Sequence, residues 1–477
     1  MSRTLAAVGI FVLLLLAAAV RVWAATGDLW IDEVWSLDQV RMAASSEQIR
    51  DTVALLFHAN THPLNSLYMA AIDAWWGPSA PAWSYRTLSV ACGLASVVLV
   101  SYRGWQRSPA CALILTTLFA ASYSLVNYSS EARGYAPMIL ALLASGFVLE
   151  RYLAAPDVRK AVTFVALTFM GILSHLTYLV VLAGLGIWAL TAIYDRRRNM
   201  ISTLARLVPL FGSQLIAISA YGAIAVNSMV RGGDCCPQPA LDSIRIMADW
   251  TFGLDAWSIS SLFPLLFLLV AMTAVVVRLA IQRNWKWTYL TTVGLLFPIV
   301  MLLIENKPDV IHRYFLPSAV IALLIVGDLL TEMWHAGRAP RWIAAIILTL
   351  FFAGNADLMI KFAQGGRGQY QRTVELIEHE SSGHQRITGY PKFSVGSLVR
   401  HQLALSNPGM RLEFVEPDEQ QDSPADWYIN GYLNGQPPAP RIVQRLESGP
   451  ATAYNLVHVF PQWGLSGDTW ALYRQSR

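Results

Sequence analysis

The sequence predicts an all-α polytopic membrane domain of about eleven transmembrane helices, followed by a small extracytoplasmic α/β domain. Three observations carry that expectation. Of 477 residues, 55% are hydrophobic and only 14% are charged, whereas soluble domains run nearer about a quarter charged. Apolar runs close to the roughly 20 residues of a spanning helix recur as far as Phe362. Beyond Phe362 such runs stop, and short strand-like and helix-like pieces alternate instead.

The apolar runs lie at about 4–25, 84–102, 109–127, 135–153, 160–175, 177–194, 202–226, 259–281, 288–304, 313–333 and 342–361. The first has features of a secretory signal, with Arg3, an apolar stretch and Val22-Trp23-Ala24. Arg21 and Trp23 are awkward in a signal and many spans follow, so it reads as an uncleaved first span. Every second connection is basic: Arg103 and Arg107; Arg151, Arg159 and Lys160; Arg196, Arg197 and Arg198; Arg278, Arg283 and Lys286; Arg338 and Arg341. The positive-inside rule then places the N-terminus in the cytoplasm and those loops with it. Residues 1–362 form the expected membrane domain, with a long first outer loop at 27–83, and residues 363–477 the outer domain. Glu47–Phe57 and Leu64–Trp76 read as short interfacial helices. In the outer domain Thr373–Glu380 and Val395–Leu405 read as helices, and Arg411–Val415, Trp427–Asn430 and Tyr454–Val459 as strands.

The net charge of +4 carries no nucleic-acid signal, and four cysteines are too few for a disulfide scaffold. Cys92 and Cys111 read as packed thiols, and vicinal Cys235 and Cys236 take no role.

Polar groups gather instead at the outer ends of the spans. Asp32 and Glu33 follow the first span, flanked by Trp30 and Trp35, whose indoles suit a membrane interface. The alternative is a solvated acidic loop. Glu131 and Arg133 stand in a short loop between two spans, beside a helix start marked by Pro137. They form either an ion pair sealing the loop or part of an anion site at the helix N-terminus. His175 and Tyr178 join two further spans; such a histidine is either a satisfied loop residue or chemically active. Arg313 and Tyr314 open the tenth span, where arginine either snorkels or, with a helix N-terminus, binds phosphate. His58 and His62 have a helical spacing, but Pro63 disfavours a helical zinc clip there; His58 reads as surface and His62-Pro63-Leu64 as a shaped turn. Together these groups would line one outer cavity holding carboxylates and phosphate-binding cations, a combination suited to group transfer from a lipid phosphate.

Trp30-Ile31-Asp32-Glu33, His62-Pro63-Leu64, Ser130-Glu131-Ala132-Arg133-Gly134-Tyr135, His175 and Arg313-Tyr314-Phe315-Leu316-Pro317 resemble the membrane-embedded GT-C glycosyltransferases. The pattern is most similar to bacterial relatives of protein O-mannosyltransferases and lipid A aminoarabinose transferases, and covers residues 1–335. The resemblance implies a GT-C-like fold and inverting transfer of a sugar from a polyprenyl-phosphate donor. The acceptor is an envelope lipid, glycan or protein at the outer face of a bacterial cytoplasmic membrane. On that pattern Asp32 is the general base, and Glu33 and Glu131 are further catalytic carboxylates. His62, Arg133, Tyr135, His175, Tyr178, Arg313 and Tyr314 surround the donor phosphate. No metal ligands are assigned and no cofactor is required, a divalent metal being optional. A transporter or flippase would place its charges near the midplane of spans, often with inverted repeats. A ligase of whole glycans would carry its main outer loop later in the chain.

Overall fold

The computed structural model describes residues 2–48, 52, 62–77, 79–228, 239–254, 262–304, 311–381, 383–405, 412–417, 424–432, 438–444 and 451–476. Most of the helix expected at Glu47–Phe57, together with His58, Cys235 and Cys236, lies outside those residues.

Among the described residues the apolar runs lie largely in helices. The chain runs through α1 (Arg3–Ala24), α2 (Ile31–Ser45), α3 (Pro63–Trp76), α4 (Ala82–Arg107), α5 (Pro109–Ala121) and α6 (Tyr123–Tyr128). Next come α7 (Tyr135–Ala154), α8 (Val158–Ser174), α9 (Tyr178–Arg197), α10 (Met200–Ser228), α11 (Ala240–Phe252) and α12 (Leu262–Ile281). A π-helical turn, Thr292–Leu296, separates α13 (Lys286–Thr291) from α14 (Phe297–Ile304). A 3-10 turn, His312–Phe315, opens α15 (Leu316–His335), and α16 (Arg338–Gly365) follows.

Among the described residues, eight helices are long and apolar enough to cross a membrane. That is fewer than the expected eleven, for readable reasons. Helix α5 has 13 residues and stops at Ser122, while α8 has 17 and opens on Arg159 and Lys160.

The backbone forms two compact units that do not follow chain order. The first takes in Met1–Trp23, Ser46–Tyr68 and Arg86–Leu358; the second Ala24–Ser45, Met69–Tyr85 and Met359–Arg477. In the first unit, Arg21 explains how an arginine survives in an apolar helix. Its guanidinium donates to the carbonyls of Phe119 (2.9 Å) and Ala120 (3.2 Å), at the C-terminal end of α5. Those carbonyls lack partners within their own helix and carry its negative dipole end, so they solvate the cation.

The second unit contains α17 (Tyr370–Glu380), α18 (Lys392–Leu405) and the strands β1 (Gln385–Tyr390), β2 (Leu412–Phe414), β3 (Trp427–Tyr432), β4 (Arg441–Gln444), β5 (Thr452–Phe460) and β6 (Thr469–Gln475). They form one six-stranded sheet in the order β2-β1-β3-β6-β5-β4. The β1 strand pairs in parallel with β2 and β3, the rest antiparallel, with Ile387 opposite Trp427 and Ile429 opposite Leu472. Tyr428, Tyr454, Ala471 and Tyr473 form one buried cluster, while Trp427, Ile429, Trp470 and Leu472 are buried as well. Each such large apolar side chain contributes about 1.5–3 kcal/mol on burial.

Helix α2 belongs to this unit. Its Val34, Leu37 and Val40 are buried at helical spacing. Trp35 packs edge-on against Phe393 of α18, with ring centroids 5.1 Å apart. Arg41 grips Asp73 of α3 at 2.8 Å, and the Tyr85 hydroxyl donates to the same carboxylate at 2.9 Å.

Candidate active site

In the first unit the candidate residues collect around the turn between α6 and α7. Every residue from Ser122 to Ile139 is buried. The short α6 is fixed at its start: Asn355 accepts the Tyr123 amide at 2.7 Å, and Ser122 donates to the Thr251 carbonyl at 3.0 Å. At its end the Ser130 hydroxyl lies within hydrogen-bonding distance of the Val126 and Asn127 carbonyls, at 2.8 and 3.0 Å. The turn is held from outside by Asn65, which donates to the Ala132 carbonyl, and Ser89, which donates to that of Arg133. Glu131 is fully buried and accepts from Asn127 Nδ2 at 2.7 Å.

Four aromatic rings meet on this turn. His62 and His175 stack with centroids 4.8 Å apart and 22° between planes. Tyr135 lies 5.4 Å from His62 and 4.9 Å from His175. Tyr128 packs 4.8 Å from Tyr135, and the Arg133 guanidinium sits 5.8 Å from the Tyr135 centroid. His175 Nδ1 accepts the Thr177 amide at 3.1 Å, which places the ring proton on Nε2. His62 donates to the Ser174 carbonyl. Its Nε2 is buried and has no hydrogen-bond partner among the described residues, so Nδ1 carries the proton.

Both imidazoles are held neutral. Burial, then the charges of Arg133, His175 and Arg313, pushes His62 well below the usual histidine range. Burial, then Arg133 and Arg313, pushes His175 down to about 3. The site therefore presents two neutral rings and two guanidinium groups beside the buried Glu131 carboxyl, which Asn127 holds; the guanidinium groups are what can attract an anion there.

The unfolded chain binds protons at these histidines from about pH 6.5 downward, while the folded chain does not. Stability is thus retained above that pH and falls as the pH drops, by up to about 1.4 kcal/mol per pH unit for each histidine. We expect the thermal midpoint in detergent to decline between pH 7 and 5, and His175→Gln to flatten the decline. A midpoint with the same pH slope in wild type and variant would show that the rings are not held neutral.

Tyr178 is committed elsewhere. Its hydroxyl donates to Ser145 at 2.9 Å, and its ring fills the space beside Gly171, where a Cβ would meet it at 2.5 Å. It is a packing residue and does not reach the ring cluster. Arg313 and Tyr314 lie half-buried on the 3-10 turn before α15.

The second unit holds Asp32 and Glu33, both in the first turn of α2. Trp30 is the N-cap, and its amide donates to Glu33 Oε2 at 3.1 Å. That is the carboxylate half of a capping box, and Glu33 is fully buried in making it. His401 of α18 faces Glu33 and Arg41; burial, then Arg41, depresses it to about 4 against the raising effect of Glu33. Asp32 is only half-buried, one residue earlier on the helix. The two adjacent carboxylates thus divide: Glu33 closes the helix, and Asp32 keeps solvent access.

No protein-family model matches the sequence, and no curated protein matches it. The crystal structure of ArnT from Cupriavidus metallidurans in the apo state superimposes with a TM-score of 0.50. The match covers 98% of each chain at 10% identity. The chain shares the ArnT fold. That is the GT-C-like fold class expected from the sequence; the chain's own apolar helices support a multi-pass membrane protein, followed by a small C-terminal sheet domain. ArnT from the same organism bound to undecaprenyl phosphate gives 0.47, at 11% identity over 90% of this chain and 94% of that one. The Archaeoglobus fulgidus oligosaccharyltransferase in complex with Zn and sulfate gives 0.47, at 12% identity over 84% of this chain and 62% of its own.

Sequence reasoning did not single out Tyr128 or His401. Tyr128 opens the short polar loop that drew attention to Glu131, so position was an available signal; His401 has none. Among the described residues, no group of three or more His, Cys, Asp or Glu side chains is arranged to hold a metal ion.

Proposed function

We propose that the protein is an inverting glycosyltransferase. It moves a sugar from a polyprenyl-phosphate carrier to an acceptor hydroxyl at the outer face of a bacterial cytoplasmic membrane, its N-terminus in the cytoplasm. Asp32 takes the proton of the acceptor hydroxyl as the acceptor oxygen bonds to the anomeric carbon. The bond from that carbon to phosphate breaks, and polyprenyl phosphate leaves. Arg133 and Arg313, with His62, His175 and Tyr135, receive the phosphate; Tyr314 flanks it, and Glu131 steadies the turn through Asn127. A leaving phosphate needs charge stabilisation more than protonation, which fixed guanidinium groups supply. Glu33 shapes the helix that presents the base. No step is assigned to a metal.

The observation that carries this reading is the buried cluster of two neutral imidazoles and two tyrosines under the charges of Arg133 and Arg313. So many buried polar groups on one turn cost folding free energy that a bound anion offsets. The test is transfer by purified protein, given a panel of radiolabelled polyprenyl-phosphate sugars with envelope extract as acceptor. Label passing from lipid to acceptor is the expected result. An intact protein that transfers from none of the donors overturns the proposal.

A further inference from the structure

Polar atoms at the start of α3 outnumber the partners that the protein gives them. His62 precedes the helix, and its carbonyl accepts the Ser66 amide at 2.8 Å. His62, Asn65 and Ser66 are thus three and four residues apart along one helical face. They are 7%, 2% and 1% exposed. Among the described residues, His62 Nε2, Asn65 Oδ1 and Ser66 Oγ have no hydrogen-bond partner. Serines elsewhere in the first unit behave differently: Ser96 and Ser101 of α4 donate to the carbonyl four residues back, at 2.9 and 2.6 Å. Burying polar atoms unpaired costs folding free energy, which a ligand that pairs them offsets.

The bonds these side chains already make fix what they still need. Asn65 Nδ2 donates to the Ala132 carbonyl, which orients the amide and leaves Oδ1 as an acceptor. His62 gives its Nδ1 proton to the Ser174 carbonyl, so Nε2 is an acceptor too. Ser66 Oγ can donate or accept. Two acceptors and a hydroxyl are a poor match for a phosphodiester anion, whose oxygens only accept. They match the neighbouring O–H groups of a sugar. Ala132, held by Asn65, immediately precedes Arg133, so this stripe lies against the turn that carries a phosphate-binding guanidinium. In a polyprenyl-phosphate donor the sugar is one bond from that phosphate. We propose, resting on the glycosyl-transfer reading, that His62, Asn65 and Ser66 form the subsite that holds hydroxyls of the transferred sugar. His62 stands at the junction, its ring beside the phosphate groups and its Nε2 given to the sugar. Asn65 and Ser66 then help to set which sugar is taken, because a buried polar site rejects an analogue that lacks the matching hydroxyl.

The test uses the full-length protein in detergent, and its first arm needs no ligand. Ser66→Ala removes a buried hydroxyl that no described group pairs, so the thermal midpoint is expected to rise. The second arm measures binding of polyprenyl phosphate alone and of the same lipid carrying glucose, galactose, mannose or arabinose. Wild type is expected to bind at least one sugar-bearing form more tightly than the bare lipid. Ser66→Ala is expected to weaken that form by about three- to tenfold, the range for one neutral hydrogen bond, and to leave the bare lipid unchanged. Among the monodeoxy analogues of that sugar, the one lacking the hydroxyl that Ser66 meets is expected to bind both proteins equally. A lower midpoint in Ser66→Ala overturns the proposal, since the hydroxyl would then be bonded within the protein. So does a variant that weakens the bare and the sugar-bearing lipid alike, or neither, or every monodeoxy analogue. A wild type that binds the bare lipid and prefers none of the sugars overturns the subsite and leaves the phosphate site standing. A wild type that binds none of these lipids removes the glycosyl-transfer reading and the subsite with it, while the midpoint still reports whether Ser66 is paired.

Discussion

Asp32→Asn is expected to lower sugar transfer by about 10²–10⁴-fold, the usual contribution of a positioned general base, while leaving the protein folded. The substitution is nearly isosteric, and Asp32 is half-buried at the start of a helix whose cap is made by its neighbour. Glu33→Gln should behave in the opposite way. It weakens the bond to the Trp30 amide and removes a negative charge from a helix N-terminus, so it costs about 1 kcal/mol of stability. Activity should fall far less than in Asp32→Asn. Initial rates with labelled donor, read beside thermal midpoints, separate the two effects. If Glu33→Gln silences transfer in a folded protein and Asp32→Asn does not, the roles of the two carboxylates are exchanged.

In the sequence Asp32 is set apart from Glu33 only by the family resemblance, and nothing there shows that Glu33 caps a helix. That role rests on the N-cap being Trp30, and an indole gives no capping signature of the kind Ser, Thr, Asp or Asn would. The membrane helices were legible because their signal is composition over some 20 residues, which local packing does not alter. Their lengths were less so: α5 ends at Ser122 because the chain there turns to bond Thr251 and Asn355, far away in sequence. In the second unit α17, α18, β2, β3 and β5 fall where helical spacing and branched or aromatic runs indicated. The strand β6 did not, because Thr469 to Tyr473 are all buried and so show no alternation. Both flanking strands, β3 and β5, cover it from the side. The ring cluster was legible as separate residues at the ends of spans, but their stacking was not. It depends on Gly134.

Gly134→Ala should disrupt that cluster more than any side-chain truncation within it. Gly134 has φ −76°, which any residue adopts, so backbone conformation does not require glycine there. Space does. A Cβ would lie 1.8 Å from the Ser174 carbonyl oxygen, 2.7 Å from its carbon and 2.9 Å from His62 Cβ. The first two are backbone atoms and cannot rotate away. The Ser174 carbonyl also accepts the proton of His62, and His175 follows it directly in the chain. One methyl group therefore pushes on the acceptor that orients one imidazole and on the backbone that carries the other. Overpacking of this kind costs about 1–3 kcal/mol, and more where backbone must move. Donor affinity should fall about tenfold or more, since roughly 1.4 kcal/mol of lost binding is a factor of ten. Gly222→Ala is the control: among the described residues no atom lies within 4 Å of the new Cβ, and alanine within a helix is favoured over glycine by about 1 kcal/mol. Thermal midpoints and binding of a polyprenyl-phosphate lipid, measured on both variants, give the comparison. A Gly134→Ala protein that matches Gly222→Ala in both would mean that the turn is loose enough to yield, and a loose turn could not hold the two histidines in register for a phosphate.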